Sequence, residues 1–358
     1  MPILTRIGMS TASPTIPPAD LAQTTIGRVS AGMDDQRAPM VGQILRIIRD
    51  LSGRSERLSV GDLVEFINGD PTIMGRIVTI ASSVGYNASG VEINSIHHAV
   101  SLIGFDRVRT LAISILLLES SHSEAVTRAN RELAGNSLIS GLVAAEMCRR
   151  GVAADAEMAF ICGALRNYGR ILAATFLPEQ YAETIPPARR GAEESFRATF
   201  GLTPLELGRE VMGKLLLPKA ILNTLANLSP QERRFCGATA LGTLIGAAEF
   251  GQRFADLLQA PDLNPDNVER RLEALSREYD VDFNIRRPEV RELLGELVGV
   301  LDSFRYRAGS YVGTVEMFRR LENLAKERIL QPVAEPAAPP RVSRPAPPPI
   351  ANADSYEI

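Results

Sequence analysis

The stretch Ile67-Asn-Gly-Asp-Pro-Thr-Ile-Met-Gly-Arg-Ile-Val-Thr-Ile-Ala-Ser82 indicates how the chain folds. Asp70 can cap the first turn of a helix, and Pro71 suits the first helical position, where a backbone N–H would have no partner. Apolar residues then recur every three or four positions, which places them on one face of a helix. The stretch therefore predicts an amphipathic helix that packs on a core. These apolar residues are Ile73, Met74, Ile77, Val78 and Ala81.

Helical spacing continues on both sides of this stretch. Asn94 and Ser95 can cap a long helix that runs to Leu118 and is interrupted at Gly104. Alternating apolar runs are short, and no Asn-Gly or Asp-Gly pair separates two of them, so strands are not expected. The prediction is an all-α fold. Further helices are predicted at residues 44–51, 63–67, 131–149, 156–174, 189–199, 204–214 and 218–227, and after Asn264-Pro265 and Pro288.

The two ends of the chain differ in composition from its centre. Residues 1–36 show no sustained periodicity and are predicted to be a disordered N-terminal arm. Residues 331–358 hold eight prolines and are predicted to be an extended, disordered tail. Between them we expect a helical domain over residues 37–235 and a C-terminal helical region over residues 236–330.

The composition excludes several classes of protein. With a net charge of -3, no tryptophan and 5% aromatic residues, the chain lacks the basic balance and the stacking surface of a nucleic-acid-binding protein. No apolar run reaches the roughly 18 residues of a membrane span, and no signal peptide begins the sequence, so a cytoplasmic location is expected. The cysteines Cys148, Cys162 and Cys236 are far apart, which predicts free buried thiols and no zinc site.

Several motifs resemble those of the HDOD family, a bacterial output domain related to HD phosphohydrolases. The opening stretch is similar to the family's DP-x-L-x-x-x-L-L-x-x-A-N-S, and Ile93-Asn-Ser-Ile-His-His-Ala-Val-Ser-Leu-Ile-Gly104 is similar to I-x-S-I-x-x-A-I-x-x-L-G. Residues 163–169 stand where relatives carry G-L-L-H-D-I-G, and residues 194–208 where they carry E-x-x-x-F-G-x-x-H-x-x-x-G. The resemblance covers residues 37–235 and implies an HDOD-like multi-helix core.

The same resemblance implies that the metal ligands of the HD site have been replaced. The HD histidines and aspartate correspond to Asn136, Arg166, Asn167 and Pro204. An amide is a poor transition-metal ligand beside imidazole, and proline has no side-chain ligand atom. A guanidinium about 4 Å from a divalent ion would repel it by about 8 kcal/mol at an effective dielectric of 20. We therefore expect no metal and no cofactor, and a pseudoenzyme in place of a hydrolase.

A vestigial cleft is expected where the metal site would have been. One hypothesis is that Arg166, with Arg170 and Lys214, binds an anionic ligand or partner side chain there. The alternative is that Arg166 pairs with Glu194 or another acid and only fills the space. The candidate residues of the cleft are Asn136, Arg166, Asn167, Arg170, Glu194 and Pro204.

Two functions remain open from the sequence. The first is a non-enzymatic signalling module that acts through protein–protein binding, which is what the resemblance to HDOD output domains implies. The second is a residual metal-dependent phosphohydrolase or cyclic-nucleotide phosphodiesterase that uses other acids. These acids are Glu146, Asp155, Glu157 and Glu206.

The expected partners follow from the first function. They are proteins of a bacterial signalling pathway, with a small anionic ligand as an alternative, and neither nucleic acid nor a membrane is expected. An apolar stripe in the C-terminal region is predicted either to pack on the core or to pair with a second copy as a homodimer. The stripe consists of Leu293, Leu297, Val300, Leu301 and Phe304.

Overall fold

A computed structural model describes residues 17–34, 71–82, 93–119, 128–150, 155–184, 192–308 and 315–329, and the single residues 49, 61 and 91. Within these ranges the regular structure consists of α-helices and two short 3-10 turns, with no strand, which confirms the all-α prediction. The helices predicted at residues 44–51 and 63–67 lie outside the described ranges apart from isolated positions. No described helix is both long and apolar enough to cross a membrane.

The helices follow one another with short connections. The two 3-10 turns are Cys236–Ala238 and Val281–Phe283. The helices are α1 (Pro18–Asp34), α2 (Pro71–Ala81), α3 (Ile96–Ile103), α4 (Phe105–Glu119), α5 (Arg128–Arg150), α6 (Ala156–Leu165), α7 (Tyr168–Phe176), α8 (Pro178–Thr184), α9 (Ala192–Phe200), α10 (Pro204–Lys214), α11 (Lys219–Asn223), α12 (Pro230–Arg233), α13 (Ala240–Leu258), α14 (Val268–Ser276), α15 (Arg287–Ala308) and α16 (Glu316–Ile329).

Local sequence signals decide where several helices begin and end. The Ser95 hydroxyl caps α3 by accepting a hydrogen bond from the His98 N–H at 3.1 Å. Gly104 has a φ of 91°, which a residue with a side chain rarely adopts, and it separates α3 from α4. The predicted long helix is therefore two helices with a glycine break, as the sequence indicated.

Helix α5 runs through the centre of the fold, with α6 and α13 packed along it. Gly141 of α5 lies against Phe160 of α6, and Gly251 of α13 lies so close to the Ser140 carbonyl of α5 that no Cβ would fit. Close helix approach of this kind needs glycine at the crossing point. Because α13 follows residue 235 and enters this core, the predicted boundary there does not separate two packing units.

Helix α1 corrects the prediction of a disordered N-terminal arm over its described part. Its Ile26 and Val29 are buried, and the Thr25 hydroxyl donates to the Phe200 carbonyl at 3.0 Å. Gly32 lies against the Phe176 ring of α7. The apolar positions of α1 are too few to predict a helix alone, and they become buried only because α7, α9 and α10 provide a surface for them.

The C-terminal apolar stripe packs within the chain. Leu293, Leu297 and Leu301 of α15 are buried, and α15 packs on α16, α14 and α2. Of the two alternatives for the stripe, the structure shows packing on the core. The homodimer predicted through these residues would have to use a different surface.

Candidate functional site

Three of the predicted cleft residues come together in the centre of the fold. Asn136 lies on α5, and Arg166 and Asn167 form the two-residue connection between α6 and α7. The Arg166 N–H bonds the Gly163 carbonyl, which ends α6 and turns the chain towards α7. All three side chains are at most 1% exposed. The structure therefore brings these three predicted residues together, beneath the surface.

The side-chain amides of Asn136 and Asn167 are bonded to each other. Asn167 Nδ2 donates to Asn136 Oδ1, which also accepts the Ser140 hydroxyl at 3.2 Å. Asn136 Nδ2 donates to Asp256 Oδ1 at 3.1 Å, and Gln252 Nε2 donates to Asn167 Oδ1 at 3.2 Å. Because every one of these amide groups has a hydrogen-bond partner, the network is closed. Its hydrogen bonds offset the free-energy cost of burying the polar groups.

The guanidinium of Arg166 is held by neutral acceptors. Its Nε donates to Gln252 Oε1 at 2.7 Å and its Nη2 to Asn227 Oδ1 at 2.6 Å. Its Nη1 donates to the backbone carbonyls of Thr224 and Ala226, the second at 2.9 Å. The side chain thus ties α13 to the segment after α11.

The position of Arg166 bears on both interpretations made from the sequence: it fills the space, as the second one held, but without a hydrogen bond to Glu194. Its hydrogen-bond partners do not include Glu194, and its donors are already taken up in a site with 1% exposure, so it cannot receive an external anion. Burial lowers the pKa of Arg166, and the nearby carboxylate of Glu249 opposes this effect. Arg166 is a buried structural cation.

A cavity of about 220 Å³ lies in front of this network. Pro204 and Arg170 line it, as the sequence predicted for the cleft, whereas its acidic residue from α9 is Glu193 and not the predicted Glu194. Lys214 lies elsewhere, with its Nζ 3.4 Å from the Ser30 hydroxyl of α1. The lining residues are Arg170, Glu193, Pro204, Leu205, Asn227, Arg233, Glu249, Gln252, Arg253 and Asp256.

Four of the ten lining residues come from α13, which sequence reasoning missed. Glu249, Gln252 and Asp256 recur at helical spacing within an otherwise apolar helix. Polar residues on one face of a buried helix are a signal that they meet other polar groups. That pattern could have identified α13 as part of the site.

The family model of the HDOD domain matches residues 38–229, more than half of the chain. The chain belongs to the HDOD family. A comparison with curated proteins finds no match.

Solved structures similar to the chain share its helical fold. One is an HDOD domain protein of unknown function from Geobacter sulfurreducens, with 15% identity, a TM-score of 0.56, and coverage of 82% of this chain and 98% of that one. Another is a proposed phosphohydrolase from Shewanella amazonensis SB2B, with 17% identity, a TM-score of 0.52, and coverage of 82% and 98%. At these identities the likeness establishes the fold alone.

The metal ions of HD hydrolases do not fit the residues of this HDOD protein. The residues that correspond to HD ligands by the sequence resemblance are two amides bonded to each other, a buried guanidinium and a proline. Divalent metals in such sites need neutral imidazole or carboxylate donors. Throughout the described ranges, no group of three or more His, Cys, Asp or Glu side chains is placed to hold a metal.

The acids considered for a residual hydrolase lie apart and have structural partners. Glu146 pairs with Arg149 and Arg150 on its own helix, and Asp155 caps the N-terminus of α6. Glu157 accepts the Thr110 hydroxyl, while burial raises the pKa of Glu157. Glu206 belongs to the cap of α10. None of these four acids lines the cavity.

The histidines of the described region also lie outside the cavity. His97 is exposed and His98 half-buried, both on α3.

Proposed function

We propose that this HDOD protein is a non-catalytic regulatory module of a bacterial signalling pathway, located in the cytoplasm, that acts by binding partner proteins. The observation that supports the proposal is the closed network of Asn136, Asn167 and Arg166. By the resemblance to HD phosphohydrolases, these residues correspond to ligands of the metal site. A protein that hydrolysed its substrate with a metal at this place would retain imidazole and carboxylate ligands there. The network is compatible with the helical fold, but it offers no ligands for a catalytic metal.

The carboxylates nearest to the network are committed to hydrogen bonds and ion pairs. Glu249 is 1% exposed and accepts the Leu228 N–H at 2.7 Å and Arg233 Nε at 2.7 Å. Asp256 accepts from Asn136 and lies 3.7 Å from Arg170. A general base must be free to take a proton from water. This supports a non-catalytic role.

An exposed apolar surface supports partner binding. Phe235, Leu241 and Val281 are 66%, 44% and 74% exposed. A Cβ added at Gly237 would lie 3.0 Å from Asp280, so the two 3-10 turns that carry or flank these side chains are neighbours. We name Phe235, Leu241 and Val281 the apolar patch. Exposed apolar side chains that lie together are typical of protein interaction sites.

The partner-binding role is tested by crosslinking and affinity purification from cells of the source bacterium. The wild-type protein is compared with the Phe235→Ser/Val281→Ser double variant, and with Leu102→Ser as a control that removes a 40%-exposed leucine on α3. We expect the same specific partner with wild type and control, and its loss with the double variant. Equal recovery with all three proteins would contradict the use of the patch.

The non-catalytic role is tested separately with bis(p-nitrophenyl) phosphate and cyclic nucleotides in the presence of Mn²⁺. We expect no turnover by the purified wild-type protein. Turnover that is lost in Asp256→Ala would contradict the proposal and favour the residual phosphodiesterase instead.

A further inference from the structure

The cavity in front of the network has a regular arrangement of charge. Three guanidinium groups, on Arg170, Arg233 and Arg253, share its lining with three carboxylates, on Glu193, Glu249 and Asp256. The formal charges of the lining therefore cancel. A ligand with only a negative charge would be repelled by the carboxylates, and a ligand with only a positive charge would be repelled by the guanidinium groups. The cavity as a whole therefore favours neither kind of ligand.

Two of the guanidinium groups are strongly engaged by acids of the protein. Arg233 Nε lies 2.7 Å from Glu249 Oε1, and Arg253 Nη1 lies 2.7 Å from Glu278 Oε2. Arg253 also lies 3.4 Å from the Tyr279 hydroxyl. These distances are those of well-formed charge-assisted hydrogen bonds, so the two side chains are fixed walls of the cavity.

Arg170 and Glu193 are the charges that remain available. The contacts of Arg170 are long, 3.4 Å to Asn167 Oδ1 and 3.7 Å to Asp256 Oδ1. Glu193 is exposed and, among the described residues, has no ion pair. Asn227 adds an amide whose Oδ1 accepts from Arg166, which turns its Nδ2 donor away from that guanidinium.

We propose that this cavity binds a small zwitterion, an amino acid or a related compound with one ammonium and one carboxylate group. Arg170 binds the carboxylate, in the bidentate geometry that guanidinium favours, and Glu193 binds the ammonium, with Asp256 as a second acceptor. A ligand with both charges satisfies both free groups at once and leaves the lining neutral. This role goes beyond the proposed partner binding and does not depend on it.

The size of the cavity supports a ligand of this class. Pockets that enclose drug-sized ligands measure about 300–1,000 Å³. At about 220 Å³ the cavity lies below this range, which suits a ligand smaller than a drug-sized molecule. None of the described residues that line it is aromatic, so this part of the lining lacks the stacking surface that recognises a base.

The proposal is tested by calorimetric titration of the full chain with a series of zwitterions of increasing charge separation. The probes are glycine, β-alanine, 4-aminobutyrate, L-glutamine and L-arginine, and the single-charge controls are butylamine and butyrate. We expect saturable binding of at least one zwitterion, at least about tenfold tighter than either control, because each control leaves one charged group unpaired. No saturable binding by any probe, or equal binding of a single-charge control, would overturn the proposal.

Paired variants locate the binding site. Arg170→Gln and Glu193→Gln should each weaken the best probe by about tenfold or more, because each removes a charge-assisted hydrogen bond. The matched controls are Arg209→Gln and Glu194→Gln, which neutralise exposed residues of α10 and α9 outside the cavity and should leave affinity unchanged. Arg170→Lys, which keeps the charge, covers the case in which Arg170→Gln fails to fold. Unchanged affinity in the Arg170 and Glu193 variants would place binding elsewhere and overturn the assignment.

Discussion

At the scale of single residues, the proposed loss of the HD metal site depends most on Arg166. A cation still lies at the centre of the fold, but it is covalently attached and its shell consists of two side-chain amides and two backbone carbonyls. Arginine suits this task because its planar fork presents several donors in fixed directions. The sequence predicted that Arg166 excludes metal. It could not predict the acceptors, since Thr224, Asn227 and Gln252 approach only through tertiary packing.

Replacing Arg166 by methionine should destabilise the protein by about 3 kcal/mol or more, because the change leaves buried carbonyl and amide acceptors without donors. Urea denaturation followed by circular dichroism measures the free energy of unfolding. Arg166→Lys serves as the control and should lose less, since it keeps the charge and some donors. If the Arg166→Met variant and the wild-type protein had the same free energy of unfolding, the guanidinium would contribute nothing to the stability of the fold.

The three thiols should be unreactive in the folded protein. Burial raises the pKa of Cys148 and of Cys162 to about 12, and it raises the pKa of Cys236 as well. Only the thiolate form of cysteine reacts as a nucleophile. Because the pKa values are raised, almost no thiolate is present at pH 8. Mass spectrometry after iodoacetamide treatment should find no label on the native chain and three labels after unfolding in urea. Rapid labelling of native protein would contradict this burial.

At the scale of helices, the sequence predicted those whose limits are set by local chemistry. The cap at Ser95 and the break at Gly104 are confirmed because each acts through its own backbone neighbourhood. The prediction was wrong for α1, whose Ile26 and Val29 are buried only by contact with distant helices. It also ran α6 and α7 together, because the turn at residues 166–167 is set by tertiary contacts of Arg166 and Asn167.

The capping box of α10 should contribute a pH-dependent part of the stability. The Thr203 hydroxyl accepts the Glu206 N–H at 3.2 Å, and Glu206 Oε2 accepts the Thr203 N–H at 2.7 Å. Partial burial raises the pKa of Glu206, but these bonds and Arg197 outweigh it and lower the pKa below its usual 4.5. The stabilisation is therefore full above pH 4.5 and is lost as the pH falls through the lowered value.

Thr203→Ala should cost about 1 kcal/mol at neutral pH, as expected for the loss of an N-cap. The cost should shrink as the pH falls, because protonation of Glu206 weakens the same capping box. Urea denaturation of both proteins at pH 7 and at pH 3 measures it. A difference of the same size at the two pH values would contradict the assigned role of Glu206.

The contact between α7 and α10 depends on one glycine. A Cβ at Gly169 would overlap the Pro204 carbonyl oxygen, whereas a Cβ at Gly208 would have its nearest neighbour at 3.4 Å, an ordinary contact. Gly169→Ala should therefore destabilise by about 3 kcal/mol or more, since backbone must move. Gly208→Ala, the matched control, should change stability by no more than about 1 kcal/mol. Thermal unfolding compares the two, and equal melting temperatures would argue against this close approach.

At the scale of the whole molecule, the candidate site joins parts of the chain that are far apart in sequence. Asn136, Arg166 and Pro204 lie within the HDOD match at residues 38–229, whereas Gln252 and Asp256 lie beyond it. Motif positions identified the first group. The second group could not be assigned in this way, because its role arises only when α13 packs on α5 with Gly251 against Ser140.

The central claim is that the amide and guanidinium network has taken the place of the metal, and metal analysis tests it most directly. The full chain is purified without chelator, incubated with Mn²⁺, Fe²⁺ and Zn²⁺ in turn, desalted and measured by inductively coupled plasma mass spectrometry. The account predicts that no ion is retained in stoichiometric amount. One tightly bound ion per chain, lost in Asp256→Ala, would contradict it.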